Sequence, residues 1–304
     1  MGYDLIRAKL ARGETIILDG GTGTDIQRRG AAMSGDTWCA DANLTSPDIV
    51  RDVHKDYVAC GADIITANTF ATSPLLFSHI GRAADVNRID AIAVKLAQEA
   101  AAGTKVCVAG SMSTMRPMQT GSDRNNLAHE WSEADARALF RMKANGLKAA
   151  GVDLIMMEMM RDTDYAVWAS EAALETGLPV WIGMSAEKSE AGGLQGWGRS
   201  DCRFDDIAAK LAALKPDAMS IMHTSPNDTG EAIRVLRKYW SGPIATYPEC
   251  GYFRSPDWEF VDVIPPAELV NQSRHWHELG ATIFGGCCGI GPDHIAKLNQ
   301  EMRG

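Results

Sequence analysis

The stretch Cys60-Gly61-Ala62-Asp63-Ile64-Ile65-Thr66-Ala67-Asn68-Thr69-Phe70 contains the unit from which the rest of the chain is built. A glycine closes a helix, because it takes the left-handed conformation at the C′ position without a Cβ penalty. A tight turn follows, then an apolar run too short for a helix, then a loop. The same order recurs along the whole sequence. Strand candidates lie at Ile16–Leu18, Ile64–Ala67, Val106–Ala109, Leu154–Met157, Val180–Gly183, Ala218–Ile221, Ile244–Thr246 and Thr282–Phe284. Gly61, Gly103, Gly151, Gly177, Gly242 and Gly280 each precede a strand as left-handed helix stops.

Helical patterns with one apolar face fill the gaps, as in Ile49, Val50, Val53 and Tyr57, or Leu139, Phe140 and Leu147. Ser46-Pro47 reads as an N-cap followed by a first-turn proline, and Ser132 with Glu133 and Asp135 as a second start signal. Helix-to-strand turns are short, whereas Gly21–Thr45, Ser111–Trp131, Met184–Phe204 and Tyr247–Pro265 are long strand-to-helix connections. Eight parallel strands with crossover helices close most simply into an α/β (β/α)8 TIM barrel. The active site then lies under the long βα loops at the C-terminal face. No composition shift marks a boundary, so residues 1–304 are expected to form one domain. A doubly wound open sheet is the alternative, but no Gly-x-Gly-x-x-Gly follows a strand.

Composition narrows the function. The formal net charge of −9 argues against a nucleic-acid or anionic-membrane surface, both of which would repel the chain. The N-terminus lacks an uninterrupted apolar segment, and no apolar run reaches spanning length, so a cytoplasmic location without a membrane partner is expected. Seven cysteines, an odd number, read as free thiols or metal ligands rather than a disulfide framework.

A barrel turns the strand ends into a list of potential site members. Asp19-Gly20-Gly21 ends the first strand, Thr69-Phe70 follows the second, Ser111 the third and Glu158 the fourth. Met222-His223 ends the sixth, Pro248-Glu249-Cys250 follows the seventh, and Cys287-Cys288 ends the eighth. Cys287 and Cys288 with His223 make a Cys2His set with a fourth position open, the pattern of a catalytic zinc site. Cys250 or Glu249 could replace or supplement His223. Adjacent cysteines can also pack as small hydrophobes. Asp19 and Glu158 would be carried into the pocket, where a carboxylate needs a cationic partner; a substrate ammonium would supply one. Asp19 can equally organise its loop by accepting backbone N–H groups. Trp38, Trp131, Trp197, Tyr252, Phe253 and Trp258 fall in the long loops, where they could stack on a cationic methyl group or form loop cores.

These residues resemble the homocysteine S-methyltransferase family, zinc-dependent barrels that include betaine- and S-methylmethionine-using enzymes. The resemblance is most specific at Gly285-Gly286-Cys287-Cys288-Gly289 and Gly291-Pro292-Asp293-His294-Ile295. It extends to Leu18-Asp19-Gly20-Gly21, Trp38, Asn68-Thr69-Phe70, Ala109-Gly110-Ser111, Glu158 and Tyr247-Pro248. It implies that Cys287 and Cys288 hold zinc and that Asp19 and Glu158 hold the amino group of homocysteine. The chain departs from the family at four places. His223 stands where the family has its third zinc cysteine, Glu249 where it has Asn, and Met159 where it has Thr. The loop after Ser111 lacks a Gly-Pro-Tyr-Gly run.

Imidazole for thiolate makes zinc a stronger Lewis acid but a bound thiolate a weaker nucleophile. The enzyme would then use a more reactive donor or a different acceptor, recover a third thiolate from Cys250, or have repurposed the site. The expected reaction is methyl transfer from a sulfonium or quaternary ammonium donor to a thiol, using Zn2+ and small-molecule partners only. Asp19, Gly20, Gly21, Trp38, Thr69, Phe70, Ser111 and Glu158 are the expected substrate contacts. A metal-dependent hydrolase or lyase acting on an amine, and a non-catalytic binding barrel, are the alternatives. The donor and the oligomeric state stay open at this level.

Overall fold

In the computed structural model, which describes residues 2–119, 122, 124–254 and 259–303, eight parallel strands form one sheet. They are β1 (Ile16–Ile17), β2 (Ile64–Ala67), β3 (Cys107–Ser113) and β4 (Leu154–Met160). β5 (Val180–Met184), β6 (Ala218–Met222), β7 (Ile244–Tyr247) and β8 (Ile283–Phe284) complete it. β1 pairs with β8 at Ile16–Ile283, and a parallel bridge between Leu18 and Ile64 joins β1 to β2. The sheet thus closes on itself as the expected (β/α)8 barrel.

Strand alternation separates two apolar layers. Ile16, Leu18, Ile64, Leu154, Met156 and Trp181 share the cluster inside the barrel. Ile17, Ile65, Val108, Ile155, Ile182 and Phe284 belong to the layer packed with the helices. The N-terminal helix Gly2–Arg12 adds Tyr3 and Ile6 to the inner cluster, and the Trp181 indole N–H donates to the Tyr3 hydroxyl at 2.9 Å. That helix therefore packs on the interior side chains of the barrel, leaving the C-terminal strand ends free for chemistry.

Three local expectations change. β3 and β4 run beyond Ala109 and Met157, because their pairing continues through Ser111–Met156 and Ser113–Glu158. Glu158 consequently sits on a strand rather than after one. Gly242 is not left-handed, unlike the other five predicted stops. The preceding helix ends at Leu236, and Arg237 Nη1 donates to the Gly242 carbonyl at 2.8 Å, so the chain turns by side-chain support instead. Ser46 precedes the helix Pro47–Ala59 without a side-chain cap, whereas Ser132 accepts from the Asp135 N–H as predicted.

The long loops carry structure of their own. Short helices Thr22–Arg28 and Ala42–Thr45 follow β1. A three-stranded antiparallel sheet of Ala186–Lys188, Leu194–Gly196 and Arg199–Arg203 follows β5. A hairpin of Tyr252–Arg254 and Glu259–Val261 follows β7. Trp258 and the side chains of Tyr252 and Phe253 lie outside the described residues. The loop after β2 is held from below by the fully buried Lys143. Its ammonium donates to the Thr69 carbonyl at 2.8 Å and pairs with buried Asp90 at 2.9 Å.

Candidate active site

A single cavity at the C-terminal strand ends is lined by Asp19, Ser111, Glu158, His223, Cys287 and Cys288. β4 brings Glu158, β6 delivers His223 just past its last residue, and the turn after β8 presents both cysteines. That turn is tied to its neighbours by backbone bonds: Gly286 N–H to Asp19 O at 3.1 Å and Cys287 N–H to Pro248 O at 2.8 Å. The thiols are thus positioned by both flanking strands of the barrel.

The donor set suits a metal. Cys287 Sγ lies 3.5 Å from His223 Nδ1 and 3.9 Å from Cys288 Sγ, and the ligand atoms of all three residues fall within 4.8 Å of one another. Tetrahedral zinc with bonds of about 2.3 Å to sulfur and about 2.0 Å to nitrogen requires edges of roughly 3.5 Å for S···N and roughly 3.8 Å for S···S. The two spacings from Cys287 Sγ match those edges. Burial, helped by the nearby Arg161 cation, holds the His223 pKa down at about 3. The imidazole is therefore neutral, the ligating form.

Cys250 does not join them. Its N–H donates to the Cys288 carbonyl at 3.0 Å, and its side chain packs in the layer between barrel and helices. Burial raises its thiol pKa to about 12. Glu249 is also outside the ligand group, but its Oε2 stands 3.1 Å from His223 Nε2 on the far side of the ring.

Across the cavity the two acids are buried together. Asp19 accepts the Thr66 N–H at 2.6 Å and the Thr66 hydroxyl at 3.1 Å, while Glu158 accepts the Ser111 hydroxyl. Burial pushes the Asp19 pKa up to about 8, with the Thr66 donors opposing it and the charge of Glu158 adding to it. Burial likewise raises Glu158 to about 7 against its Ser111 hydrogen bond. Each carboxylate gains from a cation, so a ligand ammonium is the natural complement.

Gly20, Gly21, Trp38 and Phe70 also line the cavity, the two rings meeting edge-on at 6.3 Å. Thr69 does not reach it. Its hydroxyl donates to Ser111 O and accepts the Ser111 N–H, bracing β2 against β3 beneath Glu158. Met159 and Met222, both noted at strand ends in the sequence, join Met115, Met118 and Met156 in a methionine wall; sequence reasoning missed the latter three and Arg161. Met156 was detectable in principle, since it precedes Glu158 by two on the same strand face. Trp197, from the sheet after β5, packs edge-on against the His223 ring at 4.9 Å and lies under the Arg124 and Arg161 guanidiniums. Trp38, Met159 and His223 all take positive φ, of 46°, 59° and 43°. Such strain in non-glycine residues collects at functional sites.

Comparison with known proteins agrees with this geometry. The homocysteine S-methyltransferase family profile matches residues 16–302. Homocysteine S-methyltransferase YbgG of Bacillus subtilis is 28% identical over 310 residues, covering 95% of this chain and 94% of its own. Betaine–homocysteine S-methyltransferase 1 of Mus musculus is 26% identical over 314 residues, covering 98% and 74%. The metallated form of the homocysteine methyltransferase MmuM from Escherichia coli superposes with a TM-score of 0.78 at 25% identity, over 97% of this chain and 99% of that one.

Proposed function

Because the chain belongs to the homocysteine S-methyltransferase family and is thus a methyltransferase, we propose that it methylates homocysteine or a similar amino thiol. The donor is a small sulfonium or quaternary ammonium compound, and the metal is zinc held by His223, Cys287 and Cys288. The observation that carries this reading is that three soft metal ligands and two buried acids line one cavity.

When bound, zinc would lower the pKa of the acceptor thiol, so that its sulfur is present as thiolate near neutral pH. Asp19 and Glu158 hold the acceptor's ammonium and ionise as it enters. Thr66 and Ser111 fix the two carboxylates through the hydrogen bonds they donate. The rings of Trp38 and Phe70 and the methionine side chains keep water from the reacting centre. The acceptor sulfur forms its new bond to the methyl carbon, and the electron pair of the breaking bond goes to the donor's own sulfur or nitrogen. The donor leaves neutral and needs no proton. The whole chain acts as one domain in a cytoplasmic setting, where thiols stay reduced.

The test is single-turnover mixing of zinc-loaded protein with homocysteine and, in turn, S-methylmethionine, S-adenosylmethionine and betaine. Methionine should appear with one of them. Absence of transfer to any thiol from all three overturns the reading.

A further inference from the structure

His223 presents its two ring nitrogens to two different groups. Nδ1 faces Cys287 Sγ at 3.5 Å, and Nε2 faces Glu249 Oε2 at 3.1 Å. Both side chains are largely withdrawn from water, at 7% and 20% exposure, so the carboxylate and the ring meet in a low-dielectric setting. The contact is not yet aligned as a hydrogen bond, and Nε2 has no other such partner among the described residues. Trp197 packs edge-on against the ring. A carboxylate at Nε2 fixes the turn of the ring about its Cβ–Cγ bond. It also selects the tautomer with the proton on Nε2, leaving the Nδ1 lone pair directed at the thiols.

We propose that Glu249 is a positioning residue of the metal centre, one that orients His223 through Nε2 and returns to the site the negative charge that an imidazole lacks. This inference rests on the reading of His223, Cys287 and Cys288 as zinc ligands. The charge argument is simple. A divalent ion with two thiolates and a neutral imidazole sums to zero, whereas three thiolates would give −1. Adding one carboxylate at the far nitrogen restores −1 without a third sulfur. It also makes the imidazole a more basic ligand, because hydrogen bonding to a carboxylate gives the ring partial imidazolate character. His223 and Glu249 together thus do the work of one thiolate, and an acceptor thiolate at the open position keeps its nucleophilicity. Glu249 reaches this place because Tyr247, at the end of β7, pairs with Met222, at the end of β6. The residues just beyond each strand end are therefore neighbours.

The experiment measures zinc affinity of the full chain by competition with a chelator, for the wild type, Glu249→Gln, Glu249→Asp, His223→Ala and the double variant His223→Ala/Glu249→Gln. Glu249→Gln should bind zinc about 10- to 100-fold more weakly, with Glu249→Asp recovering part of the loss. In the His223→Ala background the Glu249→Gln change should cost nothing further, because Glu249 acts through the ring. Nitrogen NMR of the zinc-loaded protein should show the His223 Nε2 proton strongly deshielded in the wild type and moved upfield in Glu249→Gln, a readout that loss of packing alone does not produce. Unchanged affinity and an unmoved Nε2 proton in Glu249→Gln overturn the inference while leaving the zinc reading intact. A Glu249→Gln penalty that persists in His223→Ala also overturns it, because Glu249 would then touch the metal itself. A wild-type chain that takes up no zinc removes the zinc reading and this inference together.

Discussion

Gly21 lies so close to Cys287 that a Cβ on Gly21 would stand 2.5 Å from the Cys287 carbonyl oxygen. The turn after β1 and the cysteine turn after β8 are therefore fitted to each other through bare backbone. Gly21→Ala must push the cysteine turn aside, since the contact is with a main-chain atom and not with a flexible side chain. We expect zinc affinity to fall at least roughly tenfold, with a stability loss of about 1–3 kcal/mol as for other overpacked sites. Chelator competition and urea unfolding measure the two. Unchanged zinc affinity would show that the cysteine turn does not need this fit.

Replacing the proposed ligands separates their roles. Cys287→Ala and His223→Ala should each weaken zinc binding by more than the roughly 10- to 100-fold that losing an outer carboxylate costs. His223→Cys should bind zinc at least as tightly as the wild type, because it supplies a third thiolate at the same strand end. Cys250→Ala should leave zinc affinity unchanged, since its side chain packs away from the cavity. Elemental analysis after gel filtration and chelator competition read all four.

The acids should govern acceptor recognition. Glu158→Gln keeps the shape and the Ser111 contact but removes the charge facing an ammonium. Hydrogen bonds to charged groups contribute about 1.5–3 kcal/mol, so KM for homocysteine should rise roughly ten- to a hundredfold, with zinc content unchanged. Steady-state kinetics with 4-mercaptobutanoate, which is homocysteine without its amino group, supply the control: the variant and the wild type should use it equally poorly.

Burial of these acids also predicts how stability depends on pH. In the unfolded chain a carboxyl titrates near its ordinary value of about 4, whereas in the fold Glu158 titrates at about 7 and Asp19 at about 8. Between those values the folded state binds more protons than the unfolded one, so stability falls as pH rises. The contribution is fully present below about pH 4 and is lost through about pH 7 and about pH 8. Asp19→Asn removes the larger share of this dependence. For protein without metal or substrate, its Tm relative to wild type should rise by at least roughly 2–4 °C between pH 5 and pH 9. A constant difference across that range would contradict the raised pKa.

Lys143 and Asp90 form a fully buried ion pair under the loop that carries Phe70. Burial pushes the Lys143 pKa down and the Asp90 pKa up, and each partner opposes the shift of the other. Lys143→Met leaves Asp90 without its cation and takes one donor from Thr69 O, which keeps the Thr72 hydroxyl at 2.7 Å. The expected loss is about 3–5 kcal/mol in urea unfolding, larger than for Asp90→Asn, which keeps a polar partner for the lysine.

The sequence by itself determined the barrel and the chemical character of its mouth. Helix stops, the two hydrophobic periods and the placement of Asp19, Glu158, His223, Cys287 and Cys288 at strand ends are local properties, set by φ/ψ preference and side-chain spacing over a few residues. Even there the pairing of β3 with β4 moved Glu158 onto a strand, because strand ends depend on the neighbour and not on apolarity alone. Only the tertiary structure showed where the favoured third ligand, His223, and its competitor Cys250 lie relative to the thiols. Cys250 and His223 each follow a strand, but a backbone bond to Cys288 turns Cys250 into the outer layer while His223 is brought to the thiols. Closure of the barrel also decided that Glu249 faces His223 Nε2, that Thr69 braces β3 below the cavity, and that methionines form its wall. Such contacts join residues far apart in sequence. Their distances follow from strand register and the parity of inward and outward side chains, which exist only once the sheet has closed.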